Sequence, residues 1–294
     1  MASASIVIRT YNEERHLDEL LQAIANQKTN GLSREVIVVD SGSTDRTLAV
    51  AHARACKIVH IAKEEFSFGR SLNVGCAVAE GDYLVFVSGH CVPVHDQWLR
   101  HLVAPLESEG IVYTYGRQLG GNGTKFSERQ LFRKYFPEAS RVPQEGFFCN
   151  NANAALRRSA WETQKFDEEL TGLEDMHLAR RLVESGSKLG YIAEAAVYHY
   201  HQEEWRQIRR RYEREAIALQ HILPQIHVSL PDFLRYFISA VLLDSGEALQ
   251  ERRSWKAFPE IVMFRLMQFW GTYRGNHDHR KLSRELKEQY FYPK

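Results

Sequence analysis

Cysteine is scarce in this 294-residue chain, which holds only Cys56, Cys76, Cys91 and Cys149. No two of them stand in a CxxC or zinc-ligand spacing. A disulfide-stapled scaffold and a zinc ribbon are therefore excluded, and reduced, mostly buried thiols are expected. Neither sign of charge is in excess: 38 Lys plus Arg face 37 Asp plus Glu, a net of +1. A polyanion-binding chain is normally far more basic, so nucleic acid is not an expected partner. Long apolar runs are missing as well. The longest near the C-terminus, Tyr236 to Leu243, is stopped by Asp244, well short of the roughly 20 residues that span a bilayer. The opening MASASIVIRTYNEE lacks a basic stretch followed by an apolar core, so it does not read as a signal peptide, and a cytoplasmic protein is expected. Glycine is absent from IVIRTYNEE. That argues against a dinucleotide dehydrogenase, which wants GxGxxG after its first strand, and against a nucleotidyltransferase with a Gly-rich phosphate loop. No internal repeat or low-complexity stretch is visible.

What is present is ordinary globular composition, 44% hydrophobic and 26% charged. This fits one large domain, or one domain with a helical annex. Ser5–Arg9 is a β-branched strand ending in the polar cluster Thr10-Tyr11-Asn12-Glu13-Glu14. His16–Ile24 follows with Leu17, Leu20, Leu21 and Ile24 at helical spacing. Glu35–Val39 is a second strand, ending at Asp40-Ser41-Gly42-Ser43-Thr44-Asp45, and a helix is expected to start at Thr44 or Asp45. Lys57–Ile61 reads as a strand, Ser71–Ala79 as a helix, and Tyr83–Val87 as a strand ending at Ser88-Gly89-His90. Continuous apolar strands alternating with helices imply a parallel, doubly wound sheet. Ligands bind beyond the carboxyl ends of such strands, so the three polar clusters should converge on one crevice. Further on, Gly110–Arg117 reads as a strand. Asn122–Pro143 reads as a helix flanked by loops, Asn150–Leu156 as a strand, Glu174–Ser185 as a helix and Lys188–Tyr200 as strand and loop. The chain is helical from Glu203 onward, with Pro224, Pro231 and Pro259 as punctuation.

Each candidate group has a structural alternative. Asp40 can accept from a base or ribose, or close an Asx turn. Arg70 and Asn73 share a face near a helix start and suit a diphosphate, or are a surface arginine and a cap. Glu174 and Asp175 open a helix, where one can be a general base, or simply favour the helix dipole. His199 and His201 have period two, so on an extended chain both imidazoles point the same way. With His90 they can hold a metal or an anionic phosphate, or they are ordinary structural histidines.

Together, IVIRTYNEE, VIVVDSGSTDRT, FSFGRSLNVG, the triplet after YLVFV, NNANAALRRSAW, LEDMHLARRL and HYH resemble the family 2 glycosyltransferases over roughly residues 4–215. The finer resemblance is to bacterial rhamnosyltransferase-like members that assemble surface polysaccharide such as capsule or O-antigen. The resemblance implies an α/β GT-A fold, with a Rossmann-like, mostly parallel sheet and flanking helices over residues 1–202. A helical C-terminal extension would follow over 203–294. It implies that Thr10, Tyr11, Glu13 and Asp40 line the nucleotide pocket, that Arg70, Asn73, Ser88 and His90 meet the diphosphate-sugar, and that Asn151 and Asn153 shape the sugar and acceptor site. Asp175 falls on the family's catalytic base, with Glu174 beside it. The implied reaction is inverting transfer of a sugar from a nucleotide-sugar donor to a hydroxyl of a glycan or lipid-linked acceptor.

One departure matters. Members of the family usually carry Asp-x-Asp after the fourth strand to hold Mg²⁺ or Mn²⁺, and here the triplet is Ser88-Gly89-His90. Either His90 with His199 or His201 holds a divalent metal, or imidazolium and arginine neutralise the diphosphate. The triplet also keeps open a non-catalytic nucleotide-sugar-binding relative, against which the retained Asp40, Glu174 and Asp175 argue. Residues 202–294 carry 16 basic and 12 acidic side chains. This leaves three readings for the extension: closure over the catalytic core, homodimerisation, or docking on an anionic membrane at its inner face.

Overall fold

The computed structural model of the protein describes residues 2–277 and 289–291. Its elements in chain order are β1 (Ser3–Thr10), α1 (Leu17–Ala25), β2 (Ser33–Asp40), α2 (Thr47–Ala53), β3 (Lys57–His60), α3 (Phe68–Val78), β4 (Tyr83–Ser88), β5 (Cys91–Pro93) and α4 (Trp98–Val103). Then come β6 (Ile111–Gly120), α5 (Phe126–Tyr135), β7 (Asn153–Arg157), α6 (Arg158–Thr163), α7 (Glu174–Glu184), β8 (Lys188–His199), α8 (Trp205–Ile222), α9 (Leu230–Gln250) and α10 (Ala257–Asn276). Two compact units result. The first takes Met1–Leu119, Phe136–Glu169 and Glu174–Tyr200; the second takes Gly120–Tyr135, Leu170–Leu173 and His201–Lys294. The helical unit thus draws in α5 as well as the C-terminal helices, and part of the 203–294 extension lies outside the described residues.

The first unit is built on an eight-stranded sheet of order β3-β2-β1-β4-β7-β6-β8-β5. β1 lies inside, with Ile6, Val7 and Ile8 at most 1% exposed. It pairs in parallel with β2 and β4, and β2 pairs in parallel with β3. The register sets Thr10 opposite Asp40 and Arg9 opposite Ser88, so the polar clusters at these strand ends do converge. The expected mostly parallel sheet holds for β1–β4 only. β7 runs antiparallel to β4 and β6, and β5 antiparallel to β8. α3 lies tight on the sheet: a Cβ on Gly75 would come within 2.5 Å of Val7 Cγ1, which only glycine avoids. That helix begins at Phe68, earlier than its apolar pattern suggests, because the Ser67 hydroxyl caps it by accepting from Arg70 N at 3.1 Å. α2 begins at Thr47, later than expected. The Asp45 carboxylate takes the N–H of Thr47 and that of Glu14 instead of opening the helix itself. All four cysteines are free thiols, three of them buried.

The second unit packs α8 against α10 and α10 against α9, with Ile208, Ile261 and Phe264 fully buried. Asp244 of α9 and Arg265 of α10 form a two-pronged buried pair at 2.7 and 2.8 Å. The outer side of α9 stays open to solvent. Leu242 and Leu243 are 67% and 71% exposed, and Leu234, Ile238 and Leu249 are exposed too. Just beyond its end, Trp255 is 73% exposed among the exposed Arg252, Arg253 and Lys256. Among the described residues, no helix is long and apolar enough to cross a membrane.

Candidate active site

At the start of α7, Asp175 is buried, and two backbone N–H groups hold its carboxylate. Asn151 N donates to Oδ2 and Met176 N to Oδ1, both at 2.8 Å. Burial, and then the neighbouring charge of Glu174, push the Asp175 carboxyl up from 3.8 to about 7; the two N–H donors and Arg9 only partly oppose this. A carboxyl at that value is half ionised at neutral pH, which suits a general base. Glu174 has a different partner. Arg9, at the end of β1, donates from Nη1 to Glu174 Oε1 at 3.1 Å and lies over the Phe68 ring. The spacing of Glu174 and Asp175 shows a pair of acids, but only the fold shows that one is ion-paired and the other is not. Arg9 belongs to the site although the sequence reading left it out of the candidates. Its position just before the Thr10 cluster was the available signal.

A second cluster lies where β4 and β8 end. His90 Nδ1 is 2.8 Å from Glu13 Oε1, and His90 Nε2 is 3.1 Å from His199 Nε2. His199 Nδ1 is 2.7 Å from Gln118 Oε1. Gly89 makes room for this: a Cβ there would stand 2.9 Å from Glu13 Cγ. β8 ends at His199, and His201 follows two residues on. His201 belongs to the second unit, where its Nδ1 is 2.7 Å from Glu128 Oε1. Arg211 Nη2 lies 2.7 Å from that Glu128 oxygen and 2.8 Å from Glu203 Oε2. In that group a guanidinium already stands where a cation would go. Gln118, which the sequence reading did not single out, is the partner that links His199 to the rest of the sheet.

Several expected ligand contacts are instead structural bonds. Asp40 is 1% exposed, and its oxygens accept from Gly42 N, Ser43 N, Ser43 Oγ and Thr10 Oγ1. It closes its own loop, and Thr10 is buried against it. Asn73 is saturated. Its amide N–H groups reach Phe166 O and Glu168 Oε1, and its oxygen accepts from Trp161 Nε1 and Phe166 N. No donor remains on it for a diphosphate. Asn153 is fully buried and likewise spent on Trp98 Nε1, Arg117 O and Ala195 O, so it braces the sheet instead of meeting an acceptor. Arg70 points its guanidinium at Glu65 and Glu168, each at 3.3 Å. Tyr11, just past β1, and Ser88, the last residue of β4, are half-buried, with Lys63 over the Tyr11 ring. Asn151 is different: its Oδ1 accepts from Tyr113 OH, while its buried Nδ2 has no hydrogen-bond partner.

The chain is 29% identical over 224 residues to the O-antigen chain rhamnosyltransferase WbaN of Salmonella anatum, covering 72% of this chain and 70% of that one. It is 27% identical over 221 residues to the O-antigen chain rhamnosyltransferase RfbN of Salmonella typhimurium, covering 71% and 69%. Among solved structures, it resembles the mannosyltransferase PcManGT from Pyrobaculum calidifontis in complex with GDP-Man and Mn²⁺. The TM-score is 0.65 at 17% identity, over 94% of this chain and 88% of that one, a likeness of fold. The sequence signature described as Glycosyl transferase family 2 matches residues 5–163, more than half of the chain. On that match the protein belongs to glycosyl transferase family 2.

Proposed function

We propose that the protein is an inverting glycosyltransferase of bacterial polysaccharide assembly, with Asp175 as its general base. One observation carries this reading: a carboxyl at a helix start, buried and raised to about 7, held by the N–H groups of Asn151 and Met176. Asp175 takes the proton of an acceptor hydroxyl, whose oxygen attacks the anomeric carbon opposite the nucleoside diphosphate. A single displacement inverts the configuration. Glu174 is held by Arg9, and its charge beside Asp175 helps keep that carboxyl high enough to act as a base near neutral pH. Negative charge grows on the departing diphosphate and must be met by fixed positive charge. His90 and His199 present converging nitrogens in place of Asp-x-Asp, and this donor set fits a divalent metal. Bound there, such an ion would supply Lewis-acid stabilisation of the leaving group. Tyr11, Ser88 and the loop closed by Asp40 would line the donor pocket. The O-antigen relatives favour a deoxyhexose donor and a glycan or lipid-linked acceptor.

The exposed apolar side of α9, with Trp255, Arg252, Arg253 and Lys256 at its end, supports docking on the anionic inner face of the cell membrane. Co-sedimentation with vesicles containing phosphatidylglycerol, lost in R252E/R253E/K256E, is expected. Equal binding by that variant, or a concentration-dependent dimer in solution instead, argues for a protein partner on this face.

The deciding experiment is a thermal-shift panel of UDP, dTDP, GDP and CMP with their sugar conjugates, followed by NMR of the product linkage. A ligand at 100 times its dissociation constant stabilises by about 2.7 kcal/mol. One nucleotide class should shift the melting curve, and its sugar should transfer with inverted anomeric configuration. Retained configuration, or full turnover by Asp175→Asn, overturns the mechanism.

A further inference from the structure

Two carboxyl groups stand side by side at the start of α7, and both are buried. Like charges that share a dry site raise each other's hold on protons, so such a pair loses its second proton readily only beside a positive group. The surroundings of the two acids differ in kind. Asp175 takes two backbone N–H groups, from Asn151 and Met176. It also interacts with the Tyr113 hydroxyl on β6 and the Cys149 thiol before β7, and burial pushes both of those well up, so neither brings charge. Glu174 takes a guanidinium, with Arg9 Nη1 at 3.1 Å from its Oε1. A guanidinium offers a full charge where a backbone N–H offers a dipole.

Arg9 is itself fixed in place. It is the penultimate residue of β1, in register with Val39 on one side and Ser88 on the other. Its Nη1 also reaches Phe68 O at 3.3 Å, and its Cζ lies 5.1 Å from the centroid of the Phe68 ring. Carboxylate, carbonyl and ring hold the guanidinium together. We propose that Arg9 is a positioning residue that divides the roles of the acid pair: it fixes the negative charge on Glu174 and so leaves the exchangeable proton to Asp175. This rests on Asp175 as the base and adds the group that decides which of two adjacent acids serves. Nothing in α7 alone makes that choice. It arrives from the central sheet, through one side chain of β1.

The test follows Asp175 directly, by ¹³C NMR of the full chain labelled at aspartate Cγ, the signal being assigned by its loss in Asp175→Asn. The pH profile of kcat/KM is measured beside it. The wild-type signal should titrate near 7. Arg9→Gln keeps a neutral donor and removes the charge, so the midpoint should move alkaline by about one pH unit or more. The loss in kcat/KM should then be about tenfold deeper at pH 6 than at pH 9. Arg9→Lys, which keeps the charge without the fork, should bring the midpoint back. Glu174→Gln should move it toward acid, and adding Arg9→Gln to that variant should shift it less than in the wild type, because Arg9 acts through Glu174. The double variant should also melt above Arg9→Gln, having no buried carboxylate without its partner. It supplies the reading if Arg9→Gln alone does not fold. An unmoved Asp175 signal in folded Arg9→Gln, or a shift of about one pH unit or more from adding Arg9→Gln to Glu174→Gln, overturns the inference. If the signal moves with Arg9 and kcat/KM ignores it, the division of charge survives and the base reading falls. If kcat/KM tracks the signal in the wild type and Arg9→Gln leaves both in place, the base reading survives and the role of Arg9 falls.

Discussion

Asn151 touches Asp175 through its backbone only: its N–H donates to Oδ2 at 2.8 Å, while its side chain is turned by Tyr113 so that the buried Nδ2 has no partner. The two halves of this residue are therefore separable by mutation. Asn151→Ala keeps the N–H that holds the base and removes the amide. A buried unpaired donor that meets a substrate hydroxyl is worth about 1–3 kcal/mol. Turnover should fall about 10- to 100-fold with the acid limb of the pH profile unmoved. A shifted limb with unchanged turnover at its plateau would assign the side chain to the base and not to substrate.

The base predicts the pH profile itself. With Asp175 pushed up to about 7 by burial and by Glu174, kcat/KM should climb through a midpoint near neutrality as the carboxyl ionises. A midpoint near 4 would mean that another group titrates. Asp175→Asn should cost 10²-fold or more. Stability has the opposite sign. The folded carboxyl keeps its proton to about 7, against 3.8 when unfolded, so the folded state binds more protons in that window and stability falls as pH rises through it. Urea midpoints at pH 5 and pH 8 measure this.

Asn73→Ala separates a donor contact from a structural brace. The substitution leaves Trp161 Nε1 and Phe166 N without their acceptor, at about 2–4 kcal/mol in all. The melting temperature should drop clearly while the donor KM of the folded enzyme stays within about twofold. A raised KM at unchanged stability would restore the diphosphate role that the FSFGRSLNVG stretch suggests.

In the second unit, burial pushes the Glu128 carboxyl up, but Arg211 and His201 outweigh it and hold it at about 2. Glu128→Gln leaves the guanidinium with Glu203 alone, and should destabilise by about 3 kcal/mol at neutral pH. The folded value lies below the unfolded 4.5, so this contribution is full above that pH and fades as pH falls toward 2. The gap between the two urea midpoints should narrow in acid; a constant gap would mean that packing, not charge, is lost.

The sequence shows the framework well and the bonding poorly. β1, β2, β4 and α7 fall close to where period and polarity place them, because apolar strands and capped helices are local properties. The antiparallel half was less legible, since the pairing of β7 with β4 and of β5 with β8 is made between distant segments. The same limit applied within the site. Asp175 stands out as an acid at a helix start, yet its separation from Glu174 depends on Arg9, which arrives from β1. Asn73 and Asn153 look like ligand contacts by residue type, and only their partners in the fold show them saturated. Gln118 carries no local mark, because its meaning comes from His199.

The place of β8 as the last strand of the sheet in chain order has a consequence in time. His199 is supplied by the last strand of the sheet to leave the ribosome, whereas the loops after β1, β2 and β4 are complete far earlier. A nascent chain can therefore complete the loops after β1, β2 and β4 before His199 exists, and it gains that imidazole only when β8 slots in beside β5. Synthesis that stops short of residue 188 leaves a half-built fold with no imidazole opposite His90.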